Sequence, residues 1–191
     1  MKIDYKNIFL RTKQMLIRPA AAWSEVLQEN LPAGYTFRNY LFPLSVWVAV
    51  IVFLLSLIYC KPLKAAGLGA INLISTAGGA WIAYLIIREY LCSKLDCRDY
   101  EALNLTVYSY AVFIIFRSIG TALGTAFIGQ IFTLLSLVFF RTLYAGIGQL
   151  PDLPAGQKTN VIIITSMVII CIPVIITHLL MIVFRISAIT V

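Results

Sequence analysis

The sequence predicts an all-α fold: a polytopic membrane bundle of five transmembrane helices with an N-terminal amphipathic helix at the interface. Three observations predict it. Apolar residues make up 61% of the 191-residue chain and charged ones only 12%, against about 25% charged in a soluble domain. The 39 residues from Ala102 to Phe140 carry a single charge, Arg117. Three more charge-poor runs, Asn39–Cys60, Ala65–Ile87 and Thr159–Phe184, are each long enough to cross a hydrocarbon core of about 30 Å.

Residues 1–37 read as a cytoplasmic region of amphipathic, interfacial helices. Tyr5, Ile8, Phe9, Met15 and Leu16 recur at helical spacing, while Asn7, Arg11, Gln14 and Arg18 share the opposite face. Pro19 ends this helix and suits the first position of the next, where its missing N–H is not needed. In that second helix Trp23, Val26 and Leu27 oppose Glu25, Gln28 and Glu29. Arg11, Lys13, Arg18 and Trp23 are the candidate membrane-surface residues, the basic ones drawn to anionic lipid of the inner leaflet. Leu31-Pro32-Ala33-Gly34 is a turn toward the bilayer.

A transmembrane domain over residues 38–186 follows, with spans at about 39–60, 65–87, 102–119, 122–144 and 159–184. Tyr40, Pro43, Trp47 and Tyr59 put aromatic residues at both headgroup levels of span one. In span two Ser75, Gly79 and Ala83 fall four apart, a small-residue stripe that a neighbouring helix can approach closely. Arg88–Glu101 reads as a solvated loop. Span three brings Thr106, Tyr108, Ser109 and Tyr110 within two turns, hydroxyls suited to bonding helix to helix. Two spans fit into Ala102–Phe140 only if the reversal is tight, and Gly120, Thr121 and Gly124 lie where it must fall. Gly120-x3-Gly124 also has the spacing of a helix-packing motif.

Two readings of Arg117 stay open. One is an interfacial anchor whose guanidinium snorkels to the headgroups, the other an intramembrane functional charge; the cost of a mid-bilayer arginine favours the anchor. Leu150–Gly156 is a proline-punctuated loop, and Pro173 is expected to kink span five, with His178 beyond it.

Charge asymmetry sets the orientation. Lys2, Lys6, Arg11, Lys13, Arg18, Arg38, Arg88, Lys94, Arg98, Arg141 and Lys158 fall on one side of the spans, against Lys61, Lys64, Arg117 and Arg185 on the other. The positive-inside rule then puts the N-terminus in the cytoplasm and the C-terminus outside. Span one acts as the signal anchor, since no apolar leader precedes Pro19. The net charge of +7 reflects this asymmetry and implies no nucleic-acid partner. Cys60, Cys92, Cys97 and Cys171 read as reduced thiols. With one histidine in the chain, no metal or other cofactor is expected.

Three features resemble the Yip family, membrane proteins named for interacting with Ypt/Rab GTPases, in their short bacterial-type form. They are Arg18-Pro19 followed by Trp23, Val26 and Glu29, the Tyr108-Ser109-Tyr110 signature, and the five clustered spans. No proline follows Tyr108-Ser109-Tyr110 within its span, Tyr40-Leu41-Phe42-Pro43 matches the eukaryotic motif only loosely, and the long polar N-terminal region is missing. The resemblance implies a bacterial inner membrane protein that organises membrane partners. A non-enzymatic scaffold or adaptor is therefore expected, with the lipid bilayer and either a membrane-protein partner or a second copy as its contacts. Tyr108, Ser109, Tyr110, Arg117, Ser75 and Gly79 are the candidate packing or interaction residues. The alternative is a transporter or channel for a small solute or lipid, using Thr106, Tyr108, Ser109, Arg117 and the break at Pro173. An intramembrane enzyme is disfavoured, because Ser136 and Ser166 lack a glycine-flanked nucleophile motif.

Overall fold

The computed structural model describes residues 5–29, 34–95, 99–124, 127–150 and 155–186. Among them helices carry the fold and no strand occurs. The elements are α1 (Tyr5–Ile17), α2 (Pro19–Glu29), a π turn (Phe37–Leu41) leading into α3 (Phe42–Ser56), α4 (Pro62–Leu95), α5 (Asp99–Ala122), α6 (Phe127–Leu135), a 3-10 turn (Ser136–Val138), α7 (Phe139–Gly148) and α8 (Ala155–Val183). Five stretches are long and apolar enough to cross a membrane: Phe37–Ser56, Pro62–Ser93, Asp99–Ala122, Phe127–Gly148 and Gly156–Val183. Leu31–Ala33 of the expected turn, Lys2, Cys97, Arg98 and Pro151–Pro154 lie outside the described residues.

Local chemistry explains where these elements differ from the expected spans. Pro43 has no N–H to give the carbonyl of Asn39, and the turn before it widens, with the Phe42 N–H donating to the Phe37 carbonyl. The loop expected from Arg88 is largely helix, since α4 runs on to Leu95. Neither glycine nor proline interrupts Arg88–Leu95, and charge alone does not break a helix. At 34 residues α4 is about 51 Å long, well beyond the hydrocarbon thickness. Arg88 donates to both oxygens of Asp99, at 2.8 and 3.1 Å, tying the end of α4 to the first turn of α5.

The two readings of Gly120 and Gly124 divide between the two residues. Gly124 turns, with φ at +67°. Gly120 stays helical and packs, because a Cβ there would lie 2.4 Å from Thr133 Oγ1 and 2.8 Å from the Gly129 carbonyl of α6. The next crossing is therefore displaced toward the C-terminus. It is made of α6 and α7, joined where the Ser136 hydroxyl donates to the Thr133 carbonyl at 2.6 Å. Across Pro173 α8 remains one helix, and it closes with Arg185 at φ +52° while the Ile186 N–H donates to the Met181 carbonyl.

Helix α5 is the axis of the bundle. Every residue from Ala102 to Ile114 is buried, and α5 touches α1, α3, α4, α6, α7 and α8. A helix enclosed on all sides is held by its neighbours and not by its own amphipathicity. Over the most apolar 18-residue window of each helix, 78% of α5 is buried inside the chain against 17% of α8, which leans mainly on α4 and leaves the rest of its apolar surface open.

Candidate functional site

The N-terminal helices do not lie free on a surface. They are docked onto one end of the bundle, and Trp23 is the pin. Its side chain, expected at the membrane surface, is 2% exposed. The indole N–H donates to the Thr142 carbonyl of α7 at 2.8 Å, and the ring meets Tyr108 of α5 edge to face at 5.7 Å. The correction has a steric cause. Gly146 opens a slot that the indole fills, since a Cβ there would lie 2.6 Å from Trp23 Cε2 and 2.9 Å from Leu105 Cδ1. Tyr108 packs at a tilt against Tyr40, with ring centres 4.8 Å apart, and Tyr40 Oη shares a 2.9 Å hydrogen bond with Thr12 Oγ1 of α1. The Thr142 hydroxyl donates to the Met15 carbonyl at 3.2 Å.

Of the basic residues expected on the wet face, Lys13 and Arg18 are exposed. Arg11 is instead a clasp: its guanidinium donates to Glu25 at 3.4 Å and to Glu29, folding α1 back on α2. Both glutamates sit on the polar side of the second helix, and only the hairpin brings them to Arg11. On the far side of α1, Phe9 and Ile17 stand exposed beside an apolar groove shared with Leu44, Trp47 and Ile51 of α3.

Ser75, Gly79 and Tyr110 form a second cluster in the middle of the bundle. Tyr110 is fully buried and donates its hydroxyl to the Ser75 carbonyl at 3.3 Å. Gly79 makes room for it, because a Cβ there would lie 2.6 Å from Tyr110 Oη and 3.4 Å from Pro173 Cα of α8. The small-residue stripe of α4 is thus spent on α5 and α8 within one chain. Ser109 is buried, and its hydroxyl finds no partner among the described residues.

Arg117 lines a cavity of about 100 Å³ between α4, α5 and α8, together with Asn72, Ser118, Thr121, Thr177 and His178. The Asn72 amide donates to Ser118 Oγ at 2.9 Å. Thr121 and Thr177 donate their hydroxyl protons to the carbonyls of Arg117 and Pro173, at 2.9 and 2.7 Å. No carboxylate among the described residues pairs with Arg117. The pairing of Asn72 with Ser118 escapes sequence reasoning, the signal being only a lone amide inside an otherwise apolar span. Among the described residues no three His, Cys, Asp or Glu side chains gather around a common point.

No family model, curated protein or solved structure matches the chain.

Proposed function

We propose that this chain is a non-enzymatic membrane scaffold of the Yip type, seated in a bacterial inner membrane with its N-terminus in the cytoplasm. One observation carries the reading. The helical pair α1–α2 is pinned to the bundle by Trp23, Tyr108 and Thr142, so that Lys13 and Arg18 stand on a platform fixed relative to the spans. A surface organised before its partner arrives loses little entropy on binding, which is what an adaptor requires. The positive-inside asymmetry supports the orientation, and the sequence resemblance supports the family.

Purification of the full chain from native membrane in mild detergent, with crosslinking from single cysteines at Lys13 and Arg18, tests the proposal. A stoichiometric membrane partner or a second copy, lost when Trp23→Ala releases the platform, is the expected outcome. A lone monomer under several detergents, with no crosslink from either position, contradicts it.

The alternative, transport of a small solute or lipid, draws on the polar cavity at Arg117 beside the loosely held α8. Flux or lipid scrambling in reconstituted vesicles that is abolished by Arg117→Gln would favour it. Equal leakage from protein-free vesicles would remove it.

A further inference from the structure

Among the described residues the acidic side chains, Glu25, Glu29, Glu89, Asp99 and Glu101, lie in α2, in the last two turns of α4 or in the first turn of α5. Among the described residues the charged side chains at the other end of the bundle are Lys61, Lys64, Arg117 and Arg185, all basic. Arg117 precedes the end of α5 by five residues and His178 precedes the end of α8 by five. At 1.5 Å per residue both lie ~7.5 Å inside the helix ends. With the helix ends taken as the membrane surface, that is near the level at which phospholipid headgroups meet hydrocarbon, in the half of the molecule whose described charged side chains are basic.

The hydrogen-bond inventory of the cavity narrows the ligand further. Arg117 offers a planar fork of N–H donors suited to two phosphate oxygens. Ser118 accepts from Asn72 and so keeps its own proton to give. The other polar groups want donors. Thr121 and Thr177 have spent their protons on backbone carbonyls and are left with lone pairs. Asn72 Oδ1 has no partner among the described residues but is shielded from the cavity, so it is no part of the inventory a ligand meets. A bare anion would satisfy Arg117 and leave the threonine acceptors unanswered, and a ligand with donors alone would leave the guanidinium uncompensated.

We propose that the cavity between α4, α5 and α8 binds a phosphate that also carries N–H or O–H donors. The phosphate sits on Arg117, and its ammonium or hydroxyl end lies toward Thr121 and Thr177. An ethanolamine phospholipid headgroup has this chemistry within the bilayer, and soluble phosphoethanolamine has it outside. A choline headgroup carries the same phosphate but no N–H.

Native mass spectrometry of the full-length protein in mild detergent, titrated with phosphatidylethanolamine and phosphatidylcholine of equal chain length and with phosphoethanolamine, tests this. Phosphatidylethanolamine is expected to be retained roughly tenfold better than phosphatidylcholine, and to lose a similar factor in Arg117→Gln, as for the loss of a charge-assisted hydrogen bond. Competition by phosphoethanolamine supports the site and assigns it a soluble ligand; binding by the lipid alone supports it and assigns a bilayer ligand. Thr177→Val, which removes one acceptor and leaves Arg117 in place, is expected to lower the preference for ethanolamine over choline. Equal retention of the two lipids by the unmodified protein overturns the proposal whatever the variants do. So does undiminished phosphatidylethanolamine binding by an Arg117→Gln protein that elutes as the unmodified protein does.

Discussion

Replacing Trp23 with alanine removes the group on which the docking of α1 and α2 turns. The side chain is 2% exposed, donates to the Thr142 carbonyl at 2.8 Å and fills the slot over Gly146. Truncating a buried aromatic of this size costs about 3–5 kcal/mol, of which the hydrogen bond is about 1 kcal/mol. The loss falls on the attachment of the hairpin more than on the spans. It therefore raises the open population of α1–α2 by roughly 10²–10⁴-fold. Hydrogen–deuterium exchange of the full chain in lipid nanodiscs reads this directly, as faster exchange over residues 5–29 with the cores of α4 and α5 unchanged. Gly146→Ala provides the complementary perturbation. Its Cβ would lie 2.6 and 2.7 Å from two indole carbons, an overpacking worth about 1–3 kcal/mol. In a Trp23→Ala background those contacts are gone, so the two effects must combine to less than their sum. Additive effects, or exchange over residues 5–29 that ignores Trp23→Ala, refute the docked arrangement.

Other substitutions probe the bundle itself. Gly79→Ala sets a methyl group against Tyr110 Oη at 2.6 Å and is expected to cost about 1–3 kcal/mol in a denaturant titration; Tyr110→Phe, which deletes the clashing atom, is expected to recover part of that loss. Gly124→Ala at φ +67° is expected to destabilise by about 1–2 kcal/mol, whereas Gly78→Ala, with open space around its Cα, is expected to be neutral or stabilising by up to about 1 kcal/mol. Ser109→Ala removes a buried hydroxyl that has no partner among the described residues and is expected to leave thermal stability unchanged or to raise it by about 1 kcal/mol; a large loss would mean that the hydroxyl bonds across helices.

The architecture was legible because hydrocarbon thickness converts directly into a count of apolar residues, and a run such as Thr159–Phe184 has no other stable home. Helix ends were less legible. Arg88 marks where an apolar run gives way to charge, which is a statement about solvent, and α4 continues through it because nothing there disturbs the backbone. Gly120 and Gly124 had two uses that spacing cannot separate; only the approach of Gly129 and Thr133 assigns packing to one and the turn to the other. The periodicity of α1 and α2 marked their polar and apolar faces but not what each would meet. An indole at an interface is favoured against lipid and against protein alike, so Trp23 looked like a surface residue until Gly146 supplied its slot. Arg117 could be seen as an isolated charge, but Asn72, Thr177 and His178 are brought to it by α4 and α8, from positions 45 residues before it and 60 residues after it or more.

The proposed orientation requires one crossing by each of the five stretches long and apolar enough to span a membrane, with Lys13 and Arg185 on opposite faces, and the platform, the cationic far end and the cavity at Arg117 are all read on that basis. Single reporter cysteines at Lys13 and Arg185, in a background with the native cysteines replaced, can be labelled by a membrane-impermeant maleimide in sealed vesicles of known sidedness. Lys13→Cys is expected to react only from the cytoplasmic face and Arg185→Cys only from the other. Reaction of both positions from one face contradicts the five-span bundle.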